Sequence, residues 1–298
     1  MAVCNVNALA YVLIESAQPH RWQPFLAEVV GMMPLAAESS GWLRFKMDAY
    51  CWRLAVVPGD QERLHTAGWE LDPELALNDV AEDLRAAGQI VEPLSDSDCA
   101  LRNVAAGLRL FDPSGQCVEL VQSCALDYQP LQSPANVLRF ETGFNGDMGL
   151  GHYVLPTRQF DACYAFYREL LGFERTDSMY FDGPDGGQRL HFLHVDNPRH
   201  HSLAIYEAPQ PPDNGCIHLM VEVTDINEVG QFMDRCREHE VPVVSTLGRH
   251  CNDQMISVYV ESPAGFAIEF GCDGLQLDWQ QYRPTFSRRP SEWGHHWQ

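Results

Sequence analysis

The sequence predicts an α+β protein of two tandem halves, each carrying mostly antiparallel sheet. Three observations predict it. The chain has 298 residues, a length that accommodates two domains. Three segment pairs repeat between an N-terminal and a C-terminal half. Within each half the order strand, helix, several strands occurs twice. With 45% hydrophobic and 20% charged residues, such a chain can bury a core without disulfide or metal staples.

The elements follow in order. NALAYVLIE (Asn7–Glu15) is a short apolar run and predicts a strand, as does its counterpart GLGHYVLPT (Gly149–Thr157). An amphipathic helix pattern follows each, over Arg21–Pro34 and over Phe160–Glu174. In the second, Phe160, Cys163, Tyr164, Tyr167, Leu170 and Leu171 fall at helical spacing, and Gly172 stands where the helix should stop. The next pair, Asp72–Leu94 and Thr224–Leu247, reads as a helix with an acidic first turn, a polar stop and a strand. The last pair, Leu108–Ser123 and Val258–Cys272, reads as strand, Pro-x-Gly turn and strand. In this alignment Ala10 meets His152, Glu119 meets Glu269, and His65 falls within one place of His218. The turn-rich stretch Leu131–Asn136 sets the expected domains at 1–134 and 135–272, with a Trp-, Arg- and Pro-rich tail over 273–298 packed across the surface.

Acidic residues outnumber basic ones 41 to 20, for a net charge of −21. That surface repels phosphate backbones and anionic lipid, so neither nucleic acid nor membrane is an expected partner. No apolar run approaches the roughly 18 residues of a membrane helix. No basic stretch precedes the apolar Leu9–Ile14, so no secretory leader is expected. The ten cysteines include no CxxC pair, which favours reduced thiols in the cytoplasm over disulfides or structural zinc.

The second half carries the chemistry. His152, His218 and Glu269 each sit on an otherwise apolar predicted strand. Burying three ionisable groups costs several kcal/mol unless they are paired, and one shared cation would pair all three. Two imidazoles and a carboxylate that leave other positions open suit non-haem Fe(II). Taken singly each has a plainer reading: a strand histidine is more often a satisfied core or surface residue, and Glu119 places a carboxylate at the matching position of the half without the histidine.

GRHCNDQMISVYVESPAGFAIEFG (Gly248–Gly271), with GLGHYV, NPRHHSLA and IHLMVEV ahead of it in order, resembles the signature of the two-domain type I extradiol ring-cleavage dioxygenases of the vicinal oxygen chelate superfamily. The likeness covers roughly residues 5–272 and looks most like the 2,3-dihydroxybiphenyl 1,2-dioxygenases. It implies that each half is a pair of βαβββ modules forming an incomplete barrel. It implies Fe(II), with Mn(II) in some relatives, held by His152, His218 and Glu269. His201 would serve near the O2 site, His250 and Tyr259 would bond the diol oxygens, and Asp253 and Asn252 would stand behind these groups. A catecholic substrate, first a biaryl or bicyclic diol, O2 and a homo-oligomer complete the expectation. Alkylcatechols and steroid-derived catechols remain open, as do a glyoxalase-like metal isomerase and a non-catalytic ligand-binding member of the superfamily.

Some residues are expected to stand aside. His200 would point away from His201 if both lie on a strand, and so be structural. His20, His65, His191, His194, His239, His295 and His296 fall outside the motif. With Ala10 in the place of a ligand, the N-terminal half should bind no metal. Phe192 and Trp297 are candidates to line an aromatic pocket.

Overall fold

A computed structural model describes residues 2–37, 39–182 and 187–298. The first half runs β1 (Val6–Ser16), α1 (Pro19–Pro24), β2 (Met33–Pro34), β3 (Leu43–Lys46) and β4 (Leu54–Pro58), then β5 (Arg63–Leu71), α2 (Leu77–Ala86), β6 (Glu92–Pro93), α3 (Asp96–Arg102), β7 (Ala106–Phe111) and β8 (Cys117–Gln122). The second half runs β9 (Tyr153–Thr157), α4 (Phe160–Ala165), β10 (Glu174–Phe181), β11 (Gln188–His194) and β12 (Leu203–Glu207), then β13 (His218–Glu222), α5 (Ile226–Glu238), β14 (Val243–His250), β15 (Ile256–Glu261) and β16 (Ala267–Cys272). A short β17 (Ser291–Trp293) comes from the tail.

The two sheets have one plan. The first is ordered β2-β3-β4-β1-β5-β8-β7-β6 and the second β10-β11-β12-β9-β13-β16-β15-β14-β17. In each, two βαβββ units meet through their first strands, β1 against β5 and β9 against β13, both antiparallel. Each unit folds its last strand parallel to its first, as β12 to β9 and β16 to β13. The sheets curl into half-barrels, as the resemblance implied. The change of sheet falls between Gln122 and Tyr153, a stretch that includes the turn-rich Leu131–Asn136.

Strand alternation divides the second sheet into two faces. Tyr153 and Leu155 on β9, Leu219 and Val221 on β13, and Ile268 and Phe270 on β16 join the main core. There α5 packs on the sheet, with the rings of Phe232 and Phe270 stacked 4.1 Å apart. The alternate residues, among them Val154, His218, Glu269 and Tyr259, line the concave face. Period-2 patterning thus decides which residues are core and which face the cavity.

The structure departs from the sequence reading in five places. The two long helix patterns are each a short α-helix continued by a π-helical turn, Phe25–Val30 after α1 and Phe166–Leu170 after α4. The second ends as expected near Gly172, which has φ +75°. The segment Asp96–Arg102 forms α3, which no periodicity announced, capped at Ser95 by a bond from the Asp98 N–H. The tail does more than cross the surface, because β17 extends the second sheet by pairing with β14. His200 and His201 lie in the bend ahead of β12 and not on a strand, so alternation does not separate them.

The fifth correction concerns the repeat. Val12 pairs with both Leu54 and Ala67, as Tyr153 pairs with Leu203 and Leu219. The residue equivalent to His152 is therefore Tyr11, not Ala10. A register irregularity in β1 between Leu9 and Tyr11 inserts the extra residue that ungapped alignment missed. By the same registers Thr66 stands for His218 and Glu119 for Glu269. Here Glu119 is fully buried, accepts 2.7 Å bonds from Tyr11 Oη and Arg109 Nη2, and meets Arg102 Nε at 2.5 Å. Guanidinium groups supply the cationic charge to this carboxylate.

Candidate active site

Three strands bring the expected ligands together. His152 immediately precedes β9, His218 opens β13, and Glu269 is the third residue of β16. The register places Met220 beside Glu269 and His218 beside Ala267. The Met220 N–H donates to His152 O at 2.7 Å, which ties the start of β9 to β13. Side chains on alternating positions of these strands converge from one face.

Their donor atoms form a nearly equilateral triangle. His152 Nε2 and His218 Nε2 lie 3.1 Å apart, and Glu269 Oε2 is 3.3 Å and 3.2 Å from them. Ligands at right angles, about 2.2 Å from a common centre, would be about 3.1 Å apart, so the spacing fits one face of an octahedral cation. Burial lowers the His152 pKa to about 4, even against its hydrogen bond to Glu269, so its imidazole is neutral and can ligate. Burial favours a protonated Glu269, but bonds from His152, His218 and His250 outweigh it and hold the carboxyl well below its ordinary value. None of the ten cysteines borders this cavity.

The other expected residues surround the triangle. His250, at the end of β14, donates or accepts at Tyr259 Oη over 2.6 Å and lies 3.3 Å from Glu269 Oε1. Its Nδ1 is 2.9 Å from Pro290 O, so a proton there is fixed and Nε2 faces inward. Burial lowers the His250 pKa, yet the bond to Glu269 and the nearby carboxylates raise it to about 9 overall. Tyr259, opposite Glu269 in the β15–β16 pairing, is buried, and its pKa is raised by desolvation and then by the Glu269 charge. His201 packs its ring 4.0 Å from that of His152, centre to centre, and edge-on to Phe192. Asp253 lies in the β14–β15 turn with Oδ2 3.8 Å from His201 Nδ1, too far for a direct hydrogen bond. Asn252 borders the cavity from the same turn.

Two residues escaped the sequence reading. Ser257 Oγ donates to Glu269 Oε1 at 2.6 Å and so orients the carboxylate. It lies two places before Tyr259 on β15, and period-2 alternation alone would have pointed to it. His295, set aside as outside the motif, is buried with its ring 4.2 Å from that of His250 and its Nε2 3.3 Å from Ser257 Oγ. The pairing of the tail with β14, through β17 and again between Ser245 and Trp297, brings it there, and no local pattern shows that pairing.

The cavity above the triangle has a volume of about 300 Å³. Besides the groups just described, its lining is largely apolar, from Val154, Met179, Leu190, Phe192, Ile217 and Trp297, with Phe192 packed on His201 and Trp297 on Tyr259. Both aromatic candidates, Phe192 and Trp297, line it. Among the described residues, no lysine or arginine borders the cavity.

Paired βαβββ half-barrels define the vicinal oxygen chelate fold, and two histidines and a glutamate gathered on one concave face are a candidate metal site within it. Residues 149–270 match the glyoxalase/bleomycin resistance protein/dioxygenase superfamily, and residues 9–59 match the dihydroxybiphenyl dioxygenase BphC D1 family. The chain is 36% identical to an iron-dependent extradiol dioxygenase of Rhodococcus jostii (strain RHA1), over 98% of this chain and 97% of that one. It is 36% identical to a 3-methylcatechol 2,3-dioxygenase of Pseudomonas putida, over 99% of each, and 34% identical to a biphenyl-2,3-diol 1,2-dioxygenase of Metapseudomonas furukawaii, over 98% and 94%. The crystal structure of BphC, a halotolerant catechol dioxygenase, superposes with a TM-score of 0.90 at 33% identity, over 98% of this chain and 95% of that one. The chain belongs to the extradiol dioxygenases, oxidoreductases that open a catechol ring beside its diol with O2.

Proposed function

We propose that the protein binds Fe(II) through His152, His218 and Glu269 and cleaves a 2,3-dihydroxybiphenyl-like catechol to a hydroxy-oxo-dienoate. The convergence of the three donor atoms within 3.3 Å of one another carries this reading. Nitrogen and carboxylate donors without thiolate, and a relative named iron-dependent, support Fe(II). The bound metal would supply a Lewis-acidic anchor for the diol and a route for electrons from ring to O2.

The protein's own groups do the rest. Tyr259 and His250 hold the diol oxygens by hydrogen bonds, with His250 fixed through Pro290 O. Ser257 holds the carboxylate of Glu269 and leaves its other oxygen for the metal. His201, in a wall of His152 and Phe192 rings, would hold a proton on its imidazole, donate a hydrogen bond toward the oxygen site and act as general acid there. The apolar lining admits an uncharged aryl group and, among the described residues, offers no lysine or arginine to a carboxylate. A 3-alkylcatechol is the second reading, supported by the relative named for 3-methylcatechol.

The test is anaerobic loading with Fe(II), then 2,3-dihydroxybiphenyl, 3-methylcatechol or 3,4-dihydroxybenzoate with air. The biphenyl diol should give a yellow product and stoichiometric O2 uptake, with kcat/KM at least about tenfold above the carboxylated diol. His218→Ala should lose iron and activity together. Iron-loaded enzyme that colours no catechol, or a His218→Ala variant with full iron content, would sink the proposal.

A further inference from the structure

Behind the reaction cavity lies a second, much smaller one. It is bordered by His201, His200, Asp253, Arg199 and Glu222, and has a volume of about 10 Å³, room for one water molecule. His200, His201 and Asp253 bring their polar atoms within 4.8 Å of one another there, and all three residues are buried. His200 Nδ1 lies 3.0 Å from His201 Nδ1. His200 Nε2 is buried and bonded to no protein group. The ring of Tyr282, from the tail, covers His200 from outside at 6.3 Å between centres.

Hydrogen-bond arithmetic constrains this arrangement. Two neutral imidazoles whose Nδ1 atoms face each other must share one proton between them. If it sat on His201, the proton on that ring would point away from the reaction cavity. If it sits on His200, His201 accepts at Nδ1 and carries its proton on Nε2, the nitrogen left for O2. His200 Nε2 is then a bare acceptor, and a donor in the small polar cavity satisfies it. Both rings are almost fully buried, which disfavours a charge on either.

We propose that His200 is a positioning residue: through its Nδ1–H it fixes the tautomer of His201 that presents Nε2–H to the oxygen site, and a single enclosed water at its Nε2 completes the bond set. This rests on the reading of His201 as the proton donor. It replaces the expectation that His200 is merely structural. A tautomer-setting carboxylate in other enzymes gives the scale, since a wrong tautomer there lowers kcat by orders of magnitude with geometry intact.

The test is a double-mutant cycle on iron-loaded enzyme with 2,3-dihydroxybiphenyl. His200→Phe fills the site without a donor and should lower kcat about 10- to 100-fold, with KM and iron content unchanged. His200→Asn, whose amide N–H replaces the donor, should recover most of that loss. In a His201→Ala background His200→Phe should change kcat less than twofold. Equal losses in both backgrounds, or wild-type kcat in His200→Phe, would overturn the assignment, as would an Asn variant no better than Phe. A His201→Ala enzyme with wild-type turnover would instead overturn the role of His201 itself, so the two failures are separable.

Discussion

His194 shows how burial and not sequence position sets an imidazole's behaviour. It sits at the end of β11, stacked face to face on Trp279 at 3.4 Å, with Nδ1 2.7 Å from Thr176 Oγ1. Desolvation lowers its pKa to about 4. The unfolded value is near 6.5, so between these limits the unfolded chain takes up a proton that the folded one refuses. The contribution of His194 to stability is complete above pH 6.5 and is lost as pH falls toward 4. The net charge of −21 relaxes its own repulsion over the same range, so the effect is best read by difference. Between pH 7 and pH 5 the Tm of wild type should fall by a few degrees more than that of His194→Gln, on the order of 1 kcal/mol. Parallel Tm curves would show that His194 is already solvated. At this scale the site was largely readable: His152, His218, Glu269, His201, His250 and Tyr259 all border one cavity. Ser257 could have been found by its period-2 spacing from Tyr259, but His295 could not, because it reaches the site from a tail more than twenty residues past β16.

The elements were legible where hydrophobic period and turn chemistry agreed. The strand β1, the helix stop at Gly172 and the Pro-x-Gly hairpins fall where expected, whereas β9 begins only at Tyr153, four residues into the run expected as a strand, and leaves His152 just ahead of it. Helix α3 and strand β17 are short and polar, and their stability comes from tertiary partners that local propensity does not record. The most demanding junction is that between β9 and β13, which is held by the pairing of Leu219 with Tyr153 and by the bond from the Met220 N–H to His152 O. Gly151 allows that approach: a Cβ there would lie 2.1 Å from Met220 O, a backbone atom that can move only with its strand. Gly151→Ala would force β13 away from β9 and separate His152 from His218. We expect Tm to fall by about 5 °C, consistent with roughly 2 kcal/mol of overpacking, and iron content to drop with it. A variant with unaltered Tm and full iron would mean the two strands have slack.

At the scale of the whole molecule, one architecture serves two ends. Both half-barrels place a buried carboxylate on the same strand of the same topology, Glu119 on β8 and Glu269 on β16. The second is matched by two imidazoles and a cavity. The first is matched by Tyr11, Arg102 and Arg109. A buried anion needs a counter-charge in either case: Arg102 and Arg109 supply it to Glu119, and under the proposed function an exchangeable ion would supply it to Glu269. Repeat alignment had already argued that the N-terminal half lacks a ligand, but it named Ala10, where the bulge places Tyr11. What alignment could not show was the replacement, because Arg102 comes from α3, which has no partner in the second half's plan. Two consequences follow for measurement. Iron analysis of the loaded protein should give one equivalent per chain. Arg102→Met should leave that stoichiometry and kcat unchanged while removing one of two guanidinium partners from a buried carboxylate, which costs about 3 kcal/mol and lowers Tm by about 6 °C or more. A second equivalent of iron in wild type, or an Arg102→Met variant as stable as its parent, would show that the guanidinium is not what holds Glu119 in the core.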